Sequence, residues 1–327
     1  MANMNNNFLN EIRNYIYVTD RCNNNCQTCS YINTSNKILS LEKLIKTRKN
    51  NISQIIFFGG EPTLNKKLHE FIVLSKKSGY KDVIIFTNAR MFYYEKYTEK
   101  IINSGLTKAV IKVFSYDKNT HETLTNIKNS YDQTLEGINN LSKHPVHISL
   151  FITITKLNYK GLVNTILFYT CNFPGINQIN ISLTKANQEN KKLIPKLSNI
   201  RPYLEKALEF SKNKNIDIQV EGIPLCFLNN YEDYSFEARH ILHNEVEATE
   251  INPFFKIIEV NTLKNKKSKS DICKQCNLNS ICFGVWDFYN EIYDLNELKP
   301  NENNLKDVKT KIKYYYTKLR PVIKKYY

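Results

Sequence analysis

Down the first two-thirds of the chain, short runs of β-branched and aromatic residues alternate with longer stretches whose apolar positions recur at helical spacing. The runs predict strands at Tyr15 to Thr19, Ser53 to Phe58, Asp82 to Thr87, Ala109 to Phe114, Val146 to Thr155 and Ile179 to Leu183. Between them, helices are predicted around Leu41 to Arg48, Lys66 to Lys77, Tyr93 to Ser104, Tyr131 to Leu141 and Tyr159 to Tyr169. Strands joined by helical crossovers of this length imply a parallel sheet, and right-handed crossovers curl six of them into a partial barrel whose active face is the C-terminal strand ends. The expected class is α/β, a partial (β/α)6 TIM-like barrel with a C-terminal extension.

After a further helix over Ser198 to Lys212 and the strand-like Ile216 to Glu221, the alternation stops. The stretch from Asn229 to Asn252 is polar and acidic, and Leu305 to Tyr327 reads as a basic, Tyr-rich helix. The expected division is a tail at 1–14, a barrel core at 15–215, a cysteine-bearing region at 216–300 and a basic helix at 301–327. There is no internal repeat beyond the strand-helix alternation.

With 42% hydrophobic residues the 327-residue chain builds a sizeable core, and no apolar run approaches the roughly eighteen residues that a membrane span needs. Met1 to Asn10 is rich in Asn and lacks the regions of a signal peptide, so the cytoplasm is the expected compartment. The net charge of +15 suits a nucleic-acid surface or an acidic peptide. However, the excess is Lys in a chain crowded with Asn, Ile and Tyr, a bias that genome composition can set. The runs Lys264 to Lys269 and Lys309 to Lys325 read as solvated faces, so a nucleic-acid partner is not expected.

Eight cysteines in a reducing compartment point to metal or catalysis rather than to disulfides. Cys22, Cys26 and Cys29 follow directly on the first strand. Three thiolates so close on one loop can bind three irons of a four-iron four-sulfur cube. The fourth iron is then open to a small molecule with adjacent amine and carboxylate. A zinc site would pair such a loop with a second pair of ligands, and none follows within about thirty residues. The second group is Cys273-x2-Cys276-x5-Cys282, with Cys226 upstream. Its four thiolates suit a second cluster or a zinc ion, and spacing leaves both open. Cys171 stands alone near a helix end and is expected to be a buried core thiol.

Cys22-x3-Cys26-x2-Cys29 after strand one, with Gly59-Gly60-Glu61-Pro62 at the end of strand two, resembles the two signature motifs of the radical S-adenosylmethionine (radical SAM) superfamily. The resemblance implies a cluster on Cys22, Cys26 and Cys29, with the Gly59 to Pro62 edge holding the amino group of S-adenosylmethionine. A Glu61 side chain beside close-approaching backbone is a suitable acceptor for an ammonium. The residue before the third cysteine, commonly aromatic in the family, is Thr28 here, and Tyr31 is the candidate adenine contact. Thr87-Asn88-Ala89 and the stretch from Lys112 to Asp117, with His121 and Thr125, resemble the third and fourth strand ends. Asn88, Lys112 and Ser115 are therefore the candidate ribose and carboxylate contacts, while His121 reads as a structural residue at a helix start. No side chain is singled out as a catalyst.

Placed after such a core, Cys226, Cys273, Cys276 and Cys282 look like a twitch or shortened SPASM extension that holds one auxiliary four-iron four-sulfur cluster. Cys226 is the weaker of the four, with a free hydrogen-donating thiol as its other reading. The resemblance implies reductive cleavage of S-adenosylmethionine to a 5′-deoxyadenosyl radical that abstracts a hydrogen atom from substrate. Relatives with such extensions often modify ribosomally made peptides, by cross-linking, epimerisation or oxidation, so a precursor peptide is the expected substrate. The chain reaches Cys22 almost at once, which leaves recognition of a leader to a separate leader-binding protein or to the C-terminal region. A flavodoxin or ferredoxin-type donor would supply the electron. The alternatives are a small-molecule or cofactor-pathway enzyme, RNA modification and, outside enzymes, a zinc-stabilised nucleic-acid-binding protein.

Overall fold

The computed structural model describes residues 12–29, 41–46, 52–176, 178–184, 190–243 and 266–324. Its main element is a sheet of seven strands, β1 (Ile12–Thr19), β2 (Ile52–Gly59), β3 (Asp82–Thr87), β4 (Lys108–Val113), β5 (His147–Ile154), β6 (Gln178–Leu183) and β7 (Asp217–Glu221). Strand order in the sheet follows order in the chain, and every neighbouring pair is parallel. This is the expected partial barrel with one strand more than the six predicted. The strand-like stretch ending at Glu221 pairs with β6 because its alternate residues Ile218 and Val220 are fully buried.

Helices α1 (Leu41–Lys46), α2 (Leu68–Lys77), α3 (Glu95–Asn103), α4 (Lys118–Thr125), α5 (Ser130–Ser142), α6 (Leu162–Asn172) and α7 (Leu197–Asn213) are interleaved with the strands. Where one helix was expected between β4 and β5 there are two. Asp117 caps the first by accepting from Thr120 N at 2.8 Å, and Asn126 and Asn129, at φ 53° and 62°, turn the chain into the second. The helices bury one stripe each; in α2 it is Leu68, Phe71, Ile72 and Ser75.

Strand alternation divides the apolar residues between two faces. Val18, Phe57, Ile85, Ile111, Ile152, Ile181 and Val220 join the helices in one continuous core. Ile56, Ile84 and Val110 form a separate inner cluster, with Tyr15, Phe86 and Phe151 packed against it. Polar bridges span the beginnings of the strands on that inner face. Gln54 Nε2 donates to Asp82 Oδ2 at 3.0 Å, Lys108 donates to Gln178, and Gln178 Nε2 donates to Asp217 Oδ2 at 3.1 Å. The strand beginnings are thus cross-linked, and the loops at the strand ends carry the candidate chemistry.

Beyond β7 come α8 (Phe236–His243) and a two-stranded antiparallel hairpin of β8 (Lys267–Ser268) and β9 (Val285–Trp286). The predicted basic helix is Leu305–Lys324, and it is a packed element: Val308 and Ile312 enter the core, and Lys311 Nζ donates to Asn230 O at 2.6 Å. Cys171 corrects an expectation, because it is exposed. The buried stripe of α6 is Leu162, Thr165, Ile166 and Tyr169, and a residue two positions after Tyr169 lies about 200° round the helix from it. Among the described residues, no helix is long and apolar enough to cross a membrane.

Ile111 is fully buried in β4, so Ile111→Ala is expected to cost about 3–4 kcal/mol in urea unfolding. Cys171→Ser, by contrast, should stay within about 0.5 kcal/mol of wild type.

Candidate functional site

The first cysteine group sits on the loop that leaves β1. Two contacts join that loop to the end of β2: Gly60 N donates to Thr19 O and Glu61 N donates to Arg21 O, both at 2.7 Å. The approach is too close for a side chain. A Cβ on Gly60 would lie 2.4 Å from Arg21 O, and Gly59 holds φ at +139° with its own Cβ position 2.5 Å from Thr19 O. On its other side the loop is bonded to the end of α4, with Asn25 N on Thr125 O at 3.0 Å and Gln27 N on Leu124 O at 2.9 Å.

Glu61 is buried, and its carboxylate gathers the strand ends. Oε1 accepts from Thr63 N at 3.1 Å, Thr63 Oγ1 at 2.6 Å and Thr87 Oγ1 at 2.7 Å, while Oε2 accepts from Asn88 N at 2.7 Å. Burial pushes this carboxyl upward against the pull of those bonds. Oε2, with one donor against three on Oε1, is the oxygen with room for a further donor. Pro62 is buried at the start of the short turn Pro62–Leu64, which Glu61 caps. Asn88 Nδ2 donates to Asn23 Oδ1 at 2.7 Å, so this residue also reaches the cysteine loop.

Arg90, which the sequence reading missed, extends the same contact. Its Nε donates to Gln133 Oε1 at 2.8 Å, and Nη1 donates to Asn24 Oδ1 at 2.8 Å and to Asn23 O. Its position directly after Thr87-Asn88-Ala89 was the one available signal. Lys112, half-buried on β4, lies 5.0 Å from the Phe114 ring centre, and its charge favours the Cys26 thiolate. Ser115 is buried and accepts from Asp117 N at 3.0 Å, shaping the turn into α4. His121 is packed edge-on against Phe114 and Tyr131, and burial with the nearby Arg90 charge lowers its pKa to about 4. It is a neutral structural residue at physiological pH, in keeping with the structural reading. Tyr31 lies outside the described residues.

Cys22, Cys26 and Cys29 are close enough that each further negative charge would raise the Cys22 pKa, and burial lifts that thiol to about 11. Three soft donors on one loop suit three irons of a cube and leave one iron for a small-molecule ligand.

The second group assembles from separated segments. Cys226 is on the turn Leu225–Phe227 just past β7, Cys273 is in the turn Asp271–Gln275, and Cys276 and Cys282 lie between that turn and β9. All four cysteines line one pocket. Burial pushes Cys226 up to about 12, and charge on Cys282, Cys273 or Cys276 would push it further, as expected of thiols that face one another. Gly284 N donates to Cys282 Sγ at 3.4 Å and Asn301 N to Cys276 Sγ at 3.3 Å. Behind the pocket is a buried ion pair that the sequence did not announce. Lys267 Nζ lies 2.7 Å from Glu237 Oε1 and 4.1 Å from the Trp286 ring centre, and Glu237 Oε1 also accepts from Gly222 N at 2.8 Å. It fixes the loop leading to Cys226 against the β8–β9 hairpin.

Gly60→Ala is expected to drive the loop off the β2 edge and to reduce iron incorporation on Cys22, Cys26 and Cys29 at least about tenfold. Arg90→Leu removes a positive charge that favours the Cys22 and Cys26 thiolates, so alkylation of the exposed Cys22 in the metal-free protein at pH 7 should slow by about threefold or more.

Residues 16–169 match the radical SAM superfamily. A probable GTP 3′,8-cyclase of Saccharolobus solfataricus is 30% identical over 131 residues, covering 38% of this chain and 41% of the relative. The chain therefore spans about two-fifths of the length of that curated relative. In fold, the chain is similar to Streptococcus suis SuiB bound to S-adenosylmethionine, with a TM-score of 0.61, 14% identity and coverage of 89% of this chain and 76% of the other. SuiB bound to the precursor peptide SuiA gives a TM-score of 0.60, 14% identity and coverage of 89% and 75%. A native anSMEcpe with bound AdoMet gives a TM-score of 0.60 at 14% identity, covering 95% of this chain and 98% of that one.

Proposed function

We propose, from the premise that this chain is a radical SAM enzyme, that it modifies a ribosomally made peptide and carries two four-iron four-sulfur clusters. Cys22, Cys26 and Cys29 hold the cluster that takes S-adenosylmethionine. Cys226, Cys273, Cys276 and Cys282 hold the auxiliary one. The observation that carries the second cluster is the convergence of four thiols, from both sides of α8, on one pocket. A structural zinc ion wants its donors at about 2.3 Å from a single point. Four thiols lining one pocket can meet that demand or that of the larger cube, and the cube is the reading that follows from the radical SAM core preceding them. With Cys226 as fourth ligand every iron is protein-bound, which fits an electron-transfer role better than direct binding of substrate.

When bound, the cofactor pair supplies an electron to the sulfonium and a carbon radical able to take a hydrogen atom from an unactivated C–H bond. The chain's own groups position and shield. The Gly59–Glu61 edge brings backbone against the cysteine loop, and Glu61 Oε2 and Asn88 are the polar groups at the methionine and ribose end. Lys112 supplies a positive charge for a carboxylate, and Ser115 holds the β4 turn beside it. The inner face, with Tyr15, Phe86 and Phe151 round Ile56, Ile84 and Val110, excludes water from beneath that site. The core would occupy 15–215 and the auxiliary region 216–300, with the helix Leu305–Lys324 packed on the latter.

The peptide substrate is supported by likeness over most of the chain to SuiB, which is known bound to a precursor peptide. A nucleotide substrate in a cofactor pathway is the second reading, favoured by the sequence match to a probable GTP 3′,8-cyclase, which is confined to 38% of the chain. Anaerobically reconstituted, reduced protein should release 5′-deoxyadenosine, and a Cys226→Ala variant should retain that cleavage while losing at least about 90% of turnover on a peptide encoded beside the gene. Consumption of GTP with no change in any such peptide would replace the peptide reading with the nucleotide one.

A further inference from the structure

The short segment between the turn Leu295–Glu297 and the C-terminal helix touches both halves of the auxiliary cysteine set. Leu298 anchors it in the core. The Lys299 backbone N–H faces Cys226 and favours its thiolate, and the Asn301 backbone N–H donates to Cys276 Sγ at 3.3 Å. Pro300, between them, fixes φ and has no N–H of its own to offer. Asn301 O accepts from Asn277 N at 3.1 Å, tying the segment to the residue after Cys276.

The Asn301 side chain, buried, reaches the opposite way. Its Nδ2 donates to Glu232 Oε1 at 3.2 Å and reaches 3.5 Å from Leu225 O, the carbonyl preceding Cys226, and from Asn229 Oδ1. Asn303 repeats the grip: its Nδ2 donates to Glu232 Oε1 at 2.6 Å and to Asn229 Oδ1 at 2.9 Å, and its N donates to Asn301 Oδ1 at 2.9 Å. A single strap therefore spans from the Cys226 loop to the Cys273–Cys276 loop and aims two backbone N–H groups at sulfur. Glu232, 1% exposed, gives the strap a fixed point.

We propose that the strap from Lys299 to Asn303 is a positioning element of the auxiliary site. It sets Cys226 against Cys276 and, through the Lys299 and Asn301 N–H groups, raises the reduction potential of the group the four thiols hold. The inference rests on the auxiliary-cluster reading. Hydrogen bonds to cluster sulfurs stabilise the more negative, reduced state, so losing or lengthening them lowers the potential. Neither Asn301 nor Asn303 need touch the metal for this. Their side chains decide where the backbone donors point.

The test uses full-length holoenzyme, with iron and zinc quantified and the potentials of both clusters read by redox titration followed by electron paramagnetic resonance. Asn301→Ala should move the auxiliary potential to a more negative value while the N-terminal cluster signal stays in place. Asn303→Ala removes half-buried contacts to the same Glu232 and should produce a smaller shift of the same sign, which keeps the test open if Asn301→Ala does not fold. Wild type with about eight irons and an unchanged auxiliary potential in the folded variants overturns the inference alone. Wild type with about four irons and zinc overturns the auxiliary-cluster reading, and the strap's electronic role with it.

Discussion

The structure depends on a backbone contact that outlasts the strands it joins. Past the last paired residues of β1 and β2, Gly60 N still reaches Thr19 O and Glu61 N reaches Arg21 O, at 2.7 Å each. That contact needs glycine at both preceding positions, since a Cβ on either would lie within 2.5 Å of a carbonyl oxygen. It turns the chain so that the cysteine loop crosses the end of β2 and meets Asn88 and Arg90 from β3 and the end of α4. Glu61, bonded to Thr63, Thr87 and Asn88, holds the ends of β2 and β3 in the same register. The loop is thus braced by the ends of two neighbouring strands, β2 and β3, and of helix α4 by protein contacts alone.

Sheet order then places the two cysteine groups. Because the seven strands run parallel in chain order, everything that follows a strand emerges at the same end of the sheet. Cys22 to Cys29 follow the first strand and Cys226 follows the last, so the two groups share that end but belong to opposite edges, with the inner face between them. The first group is local, three cysteines on one loop. The second is tertiary. It exists only because the buried Lys267–Glu237 pair, Trp286 and the strap at Asn301 bring the β8–β9 hairpin and the C-terminal segment back onto the end of β7.

That difference in contact distance explains what the sequence made legible. Strands whose two faces are both buried, such as Ile55–Phe58 and Val83–Ile85, declare themselves as apolar runs, and Gly59-Gly60-Glu61-Pro62 lies next to the strand that positions it. The short β7 alternates apolar with polar residues and so read only as strand-like. Helix α4 is mostly polar; its cap at Asp117 and its burial of His121, Leu124 and Thr125 hold it in place, and no apolar stripe announced it. Cys171 was expected inside because thiols usually are, yet the α6 stripe turns it outward. Arg90 and Asn301 were missed for a different reason. Their partners Asn23 and Leu225 are 67 and 76 residues away, and no local pattern encodes such pairings.

The central proposal is that Cys226, Cys273, Cys276 and Cys282 hold an iron–sulfur cluster of their own, and the most direct test is the metal content of a variant with Cys22, Cys26 and Cys29 all replaced by Ala. Purified and reconstituted without oxygen, that protein should retain about four irons with matching sulfide and a brown colour. A colourless variant, with one zinc or no metal, would contradict the account.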